Sequence, residues 1–211
     1  MPYAIKEIYY TLQGEGYHTG RPAVFLRFSG CNLWNGLEDG RNDAICKFCD
    51  TDFFGVDGRD GGQYQNPQEL AAKVDQIWAA SDDRNKFVVC TGGEPTMQLD
   101  EGLIDALHGL QFEVAVETNG TIEPAQGIDW ITVSPKALVE LIVRKGDELK
   151  LVYPQAGIQP ANYLGLDFDR YYLQPMDGDE LELNTSRVIK YCLDNAQWRL
   201  SIQTHKVLGI D

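Results

Sequence analysis

Short apolar segments rich in β-branched residues recur along the chain and alternate with stretches of helical character. Each apolar segment predicts a buried strand, and together they are 23–30, 86–93, 113–120, 130–136, 148–154 and 170–178. Three further stretches predict helices, namely 67–81, 98–110 and 184–198, the last with apolar positions at spacings of three and four. This alternation of strands and helices predicts an α/β fold with a parallel sheet.

The number of strands limits the architecture. About six parallel strands are fewer than the eight of a closed barrel. The pattern therefore favours an incomplete, splayed (β/α) barrel, with a doubly wound open sheet as the alternative. With 211 residues, 43% of them hydrophobic, the chain can bury one core but is short for two enzyme domains, so we expect a single domain, 1–211. Segment 55–67, rich in glycine and aspartate, predicts a surface loop.

Charge and hydropathy narrow the class of partner. The formal net charge of −14 would repel phosphate backbones, which argues against nucleic acid. The first residues show no charged-then-apolar signal pattern, and no apolar run reaches the about 18 residues that a membrane span needs. We therefore expect a cytoplasmic protein that acts on a small molecule, with no membrane partner.

Polar or glycine-containing clusters follow nearly every predicted strand at its carboxyl end. They are SGC (29–31), TGGEP (91–95), ETNG (117–120), SPK (134–136) and QPMDG (174–178). Any one of them is equally consistent with an ordinary strand-to-helix turn. Because the carboxyl ends of parallel strands meet on one face, the clusters together predict a site there.

Three of the five cysteines lie within nineteen positions, a density typical of metal ligation in a reducing compartment. Cys46 and Cys49 form a C-x-x-C pair, and Cys31 precedes them at a predicted strand end. A structural zinc site would need a fourth ligand, for which His18 and Asp50 are the nearest candidates. A four-iron cluster on three thiolates would instead leave one iron open to a cofactor. The cysteines alone leave both sites open.

The segment Gly92-Gly93-Glu94-Pro95 directly follows a predicted strand, and paired glycines let a ligand approach the backbone closely. Alone, such a segment is more typical of a plain turn. About forty residues after a three-cysteine motif, however, it makes the chain resemble the radical S-adenosylmethionine (SAM) superfamily. In that superfamily the open iron of a [4Fe–4S] cluster binds SAM, and a GGE-type segment holds its methionine amino group.

The cysteine spacing resembles one family within the superfamily. Most members use C-x3-C-x2-C, whereas fourteen residues separate Cys31 from Cys46 here. With TLQGEG, CDT, SPK, YLQPMDG and QTHK, this C-x14-C-x2-C motif resembles the 7-carboxy-7-deazaguanine synthase family over residues 10–211. The resemblance implies conversion of 6-carboxy-5,6,7,8-tetrahydropterin to 7-carboxy-7-deazaguanine and ammonia, with SAM regenerated. The alternatives are another radical SAM enzyme, such as a glycyl-radical activase, and a zinc-stabilised binding module.

The resemblance also implies the cofactors and their residues. It implies a [4Fe–4S] cluster on Cys31, Cys46 and Cys49, with Mg²⁺ on Thr51. The SAM contacts carried over are Phe48, Cys49, Asp50, Gly93, Glu94, Ser134, Pro135, Lys136, Gln174, Pro175, Met176 and Asp177. The family resemblance further implies a homodimer, and we expect a flavodoxin-like protein as the electron donor.

The expected substrate contacts are Leu12, Gln13, Gly14, Arg27, Thr91, Glu117, Asn119, His205 and Asp211. The first three and the terminal carboxylate of Asp211 are carried over from the family. Arg27 is a cation in an apolar strand, which predicts either a substrate carboxylate or a structural ion pair as its partner. The remainder are our own candidates from their positions, among which Glu117 suits a guanidine-like edge and His205 has a structural role as its alternative.

Overall fold

A single open sheet organises the residues that this computed structural model describes, which are 2–79 and 83–210 apart from the side chain of Asp83. Its strands are β1 (Tyr3–Leu12), β2 (Pro22–Phe28), β3 (Gly62–Tyr64), β4 (Phe87–Gly92), β5 (Glu113–Thr118), β6 (Trp130–Val133), β7 (Lys145–Tyr153), β8 (Asp167–Pro175) and β9 (Trp198–Leu200). The α-helices are α1 (Pro67–Ile77), α2 (Glu101–Gly109), α3 (Leu181–Asp194) and α4 (Thr204–Leu208).

The sheet is mixed but mostly parallel. Its order is β3-β1-β2-β4-β5-β6-β7-β8-β9, with β1 antiparallel to both neighbours and every pairing from β2 to β9 parallel. From β4 onward the strands follow chain order, whereas a doubly wound sheet would reverse direction. Within the described residues β3 and β9 are unjoined edges, so the barrel does not close. The predicted incomplete, splayed (β/α) barrel is confirmed.

All six predicted strands and all three predicted helices are present. The first predicted helix is wrong at its end, because α1 stops at Ile77 and Trp78 is extended, while residues 80–81 lie outside the described part of the chain. The third predicted helix is wrong at its end, because α3 stops at Asp194. The Asn195 side chain donates to the Tyr191 carbonyl at 2.9 Å and closes the last turn, which leaves Trp198 free to enter β9.

The predicted surface loop over 55–67 also needs correction. Gly62–Tyr64 forms β3, because its backbone pairs with β1 and the Tyr64 ring is buried. Pro67 then begins α1, which Asn66 caps by accepting a hydrogen bond from the Glu69 N–H at 2.9 Å. A short strand next to glycines has too few side chains to show a period of two in sequence.

Helices α1, α2 and α3 cover one face of the sheet and leave the other face to the site. Leu70 of α1 and Leu103 of α2 are fully buried against β1, β2, β4 and β5, and Val188 of α3 is buried against β7 and β8. Each such side chain contributes roughly 1.5–3 kcal/mol by leaving water. Among the described residues, no helix is both long and apolar enough to cross a bilayer.

Candidate active site

A cavity of about 540 Å³ opens at the carboxyl ends of the parallel strands. The alternation of side chains along β7 shows how it is built. Leu149 and Leu151 are fully buried on the helix-covered face, whereas Lys150 and Val152 point to the cavity. β7 thus supplies leucines to the core on one face and Lys150 to the site on the other.

Most of the predicted site residues line this one cavity. They are Leu12, Gln13, Gly14, Arg27, Cys31, Cys46, Phe48, Cys49, Asp50, Thr51, Thr91, Gly93, Glu117, Asn119, Ser134, Lys136, Gln174, Pro175, Asp177 and His205. Glu94, Pro135 and Met176 are not among its lining residues. The predicted contact at Asp211 lies outside the described residues.

The three clustered cysteines share the wall of the cavity, and all five cysteines of the chain are free thiols. A hydrogen bond from Cys46 lowers the pKa of Cys49 to about 6, while that bond and burial raise the pKa of Cys46. Burial raises the pKa of Cys31 as well. In the described part of the chain, no three His, Cys, Asp or Glu side chains gather around a position for a single metal ion. Within the pair, Cys49 is thus the thiol that loses its proton more easily, and the thiolate is the form that binds metal.

Arg41 explains how the long segment between Cys31 and Cys46 is held. Its Nη1 donates to the carbonyl oxygens of Lys47 and Cys49 at 2.9 and 3.1 Å, and its guanidinium lies 4.1 Å from the centre of the Trp34 ring. It also pairs with Glu38. The fourteen-residue segment therefore folds back and fixes the C-x-x-C turn against the cavity.

Gly93 marks the place where two backbones come close. A Cβ at this position would lie 2.0 Å from the Gly30 oxygen and 2.9 Å from the Cys31 Cβ. Only glycine fits there, and the GG segment thus lies directly against the turn that carries Cys31. The donor set of three thiols beside a glycine backbone that lines the cavity fits a cluster with a bound cofactor.

Glu94 lies beneath the cavity wall and is fully buried. Its Oε1 accepts from the Thr96 N–H, the Thr96 hydroxyl and the Thr118 hydroxyl at 3.1, 2.6 and 2.7 Å. Its Oε2 accepts from the Asn119 N–H at 2.7 Å. The carboxylate thus ties the turn after β4 to the end of β5, and its contact with SAM stays a prediction.

Glu94→Gln is expected to destabilise the protein by about 1–3 kcal/mol, because the amide group turns a donor toward groups that already donate. Urea unfolding followed by circular dichroism measures this change. Glu140→Gln is the control, since Glu140 is exposed. Equal stability of the two variants would contradict the structural role of Glu94.

A buried lysine, not predicted from the sequence, organises the floor of the cavity. Lys150 is 3% exposed, and its Nζ donates to Glu15 Oε2 at 2.5 Å and to Glu117 Oε2 at 3.3 Å. Burial alone would lower the pKa of Lys150 and raise that of Glu15. The attraction between the opposite charges outweighs burial, so the pKa of Lys150 is raised and that of Glu15 is lowered. Gln13 Nε2 donates to Glu117 Oε1 at 3.0 Å. Lys150 thus neutralises and orients Glu117.

The sequence carried a signal for Lys150. It stands between two leucines of an apolar segment, the same argument that singled out Arg27. Glu15 has no comparable signal, because its burial comes from the turn after β1 crossing the open barrel. Gly16 in that turn is so close to Glu148 that a Cβ would lie 2.1 Å from its Oε1.

Arg27 lines the cavity but already has protein partners. Its Nε donates to Glu7 Oε1 at 2.8 Å, and its Nη2 donates to the Tyr9 hydroxyl at 2.7 Å. The structural ion pair is therefore present, and a substrate contact stays a prediction. The guanidinium carries five N–H donors, and these two bonds use only two of them. Arg27 can therefore keep its protein partners and also bind a substrate carboxylate.

Lys136 stands beside the cysteines. Its Nζ donates to the Ser134 carbonyl oxygen and to the Ser134 hydroxyl, both at 2.7 Å. Burial lowers its pKa. The predicted SPK segment thus forms a compact polar turn at the carboxyl end of β6 and faces the cavity.

Comparison with known proteins agrees with this geometry. The chain is 60% identical over 210 residues to the 7-carboxy-7-deazaguanine synthase of Bradyrhizobium diazoefficiens and 54% identical over 210 residues to that of Caulobacter vibrioides, with 100% of both chains covered in each case. The crystal structure of QueE from Escherichia coli superposes with a TM-score of 0.71 at 28% identity, covering 96% of this chain and 94% of that one. No protein-family model matches. Identity at this level over the full length establishes that the chain belongs to the 7-carboxy-7-deazaguanine synthase family.

Proposed function

We propose that the chain is a radical SAM lyase that converts 6-carboxy-5,6,7,8-tetrahydropterin to 7-carboxy-7-deazaguanine and ammonia, a step of queuosine biosynthesis. The observation that carries this proposal is the meeting of Cys31, Cys46 and Cys49 with the polar strand ends on one cavity. The family membership favours this reaction over a glycyl-radical activase or a zinc-stabilised module.

The three cysteines would hold the [4Fe–4S] cluster and leave one iron open to SAM. When bound, cluster and SAM supply the radical that removes a hydrogen atom from the substrate. The protein's own task is orientation. Gly93 lets the backbone approach, and Ser134 and Lys136 form a polar turn beside the thiols, which supports their assignment to SAM.

The remaining polar groups would face the pterin. Glu117 offers carboxylate oxygens to a guanidine-like edge, and Lys150 balances its charge at 3.3 Å. Arg27 would bind the substrate carboxylate while keeping its bond to Glu7. Thr51 lines the cavity and would supply the one protein ligand to Mg²⁺, which keeps waters and borrows substrate oxygens.

We further propose a single-domain chain that acts as a homodimer in the cytoplasm and takes electrons from a flavodoxin-like protein. Five free thiols agree with a reducing compartment. The net charge of −14 supports a free small-molecule substrate over a nucleic-acid partner.

The test is product formation by anaerobically reconstituted protein. With reductant, SAM, Mg²⁺ and carboxytetrahydropterin, mass spectrometry should find 7-carboxy-7-deazaguanine, and omission of SAM should abolish it. An absence of product from protein that carries a full cluster would overturn the proposal.

Arg27→Lys should raise the KM for the pterin about 10–100-fold, because one ammonium replaces a fork of donors to the carboxylate. The dissociation constant for SAM should change by less than about twofold. Arg21→Lys is the matched control, since Arg21 makes a two-pronged pair with Glu113 and is not a lining residue. Steady-state kinetics and calorimetry give the two constants, and equal losses in both would refute a specific role.

A further inference from the structure

The C-terminal segment 203–210 reaches the cavity without a core of its own. None of the five residues of α4 is buried. The segment is held at Gly14, whose carbonyl oxygen accepts from the Thr204 N–H at 3.0 Å and from its hydroxyl at 2.9 Å. Hydrophobic burial of α4 therefore does not fix its position, and the polar contacts must do so.

Lys206 makes the strongest of these contacts. Its Nζ donates to Asp50 Oδ2 and to Asp177 Oδ2, each at 2.6 Å. Gln203 Nε2 also donates to Asp50 Oδ2, at 3.1 Å. The two carboxylates come from the cysteine-bearing segment after β2 and from the turn after β8. Without a shared cation they would repel each other.

The same segment contributes to the other side of the cavity. His205 and Ile210 line it, and the His205 ring lies so close to Gly14 that a Cβ there would be 2.3 Å from its Nδ1. Gly14 belongs to the predicted substrate-contacting turn. Lys206 therefore follows His205, a predicted substrate contact, in the sequence. In space it lies between Asp50 and Asp177, two predicted SAM contacts.

We propose that Lys206 is a positioning residue that ties the Asp50 and Asp177 loops to segment 203–210, so that this three-charge bridge keeps His205 and Ile210 in their places in the cavity before substrate binds. The proposal rests on the proposed function for the division of the cavity into a SAM side and a substrate side. Lys206 also lines the cavity, and the role proposed for it is to hold segment 203–210 in place and not to bind SAM or the pterin. The bridge thus couples the position of the Asp50 and Asp177 loops on the SAM side to the position of segment 203–210 on the substrate side.

Hydrogen exchange on the full-length protein without ligands tests the bridge. In Lys206→Met, which keeps the aliphatic stem, the amides of Thr204 and Ile210 should exchange about tenfold faster than in wild type. Lys206→Arg should restore protection, and the Leu173 amide in β8 should not change, which shows that the sheet stays folded. Because the three side chains are 34–41% exposed, high salt should also speed exchange in wild type. The control is Lys190→Met, which removes an exposed 2.6 Å pair with Asp194 on α3.

Kinetics on the reconstituted enzyme then test the link to the substrate. Lys206→Met should raise the KM for the pterin about tenfold while kcat at saturation changes less than about twofold, because saturating substrate reseats the segment. Unchanged exchange at Thr204 and Ile210, or faster exchange with an unchanged KM, would overturn the proposal. Exchange is measured without turnover, so a protein that made no deazaguanine would fail the proposed function while leaving the bridge itself measurable.

Discussion

Cys31→Ala is expected to reduce turnover by on the order of a thousandfold or more. Loss of a residue that only supports a metal ligand costs about 10–100-fold, and loss of a ligand itself should exceed that. The two cysteines outside the motif, Cys90 and Cys192, are not lining residues of the cavity, so neither is placed to replace the Cys31 thiolate. The iron content of the reconstituted variant should fall together with its activity.

The control for this variant is Cys192→Ala. Cys192 is a free thiol on α3 and is not a lining residue of the cavity. Its removal should leave iron content and turnover at wild-type levels. A fully active Cys31→Ala protein after reconstitution would refute the ligand assignment, and stoichiometric zinc in colourless wild-type protein would favour the zinc-stabilised module.

Lys150→Met is expected to destabilise the fold by about 3–5 kcal/mol at neutral pH, because it leaves the partly buried carboxylates of Glu15 and Glu117 without their cation. The loss should shrink on acidification. In wild type the pKa of Glu15 is depressed, so this pairing stabilises the protein above the unfolded value near 4.5 and is lost as the pH falls through the depressed value. In the variant, Lys150 no longer offsets the effect of burial on the pKa of Glu15. Protonation of Glu15 at low pH then removes the unpaired charge and its cost in stability.

Urea unfolding at a series of pH values measures this dependence. The double variant with Glu15→Gln should recover part of the stability, since one uncompensated charge is gone. Lys145→Met on the same strand is the control, because Lys145 is exposed at the start of β7. A loss that is independent of pH would show that Lys150 acts through packing and not through charge.

The sequence predicted the fold because its signals were local. Six strands carry apolar runs, and an apolar run needs no knowledge of its neighbours. β1 was not predicted, because its register shifts at an irregularity between Ile5 and Glu7 and the alternation of buried and exposed positions breaks there. β3 and β9, with three residues each, exist only because a partner strand is in place. Such edges depend on tertiary contacts that a sequence pattern does not contain.

The site was predictable wherever chemistry was tied to a strand end. Thr91, Glu117 and Ser134 line the cavity because parallel strands end on one face. The long-range pairings were not predictable. Lys206 reaches Asp50 across 156 positions and Asp177 across 29, and no spacing rule brings these three together. For Glu94 the motif pointed to a cofactor contact. In the fold, its carboxylate oxygens accept hydrogen bonds from Thr96, Thr118 and Asn119.

If this cavity places SAM beside a pterin for hydrogen transfer, deuterium should pass from C6 of the pterin to SAM. Carboxytetrahydropterin labelled with deuterium at C6 should be turned over by the reduced, reconstituted protein, and the recovered SAM analysed by mass spectrometry. The account predicts 7-carboxy-7-deazaguanine together with deuterium on the 5′ carbon of SAM. Product without deuterium in SAM or in 5′-deoxyadenosine would contradict it.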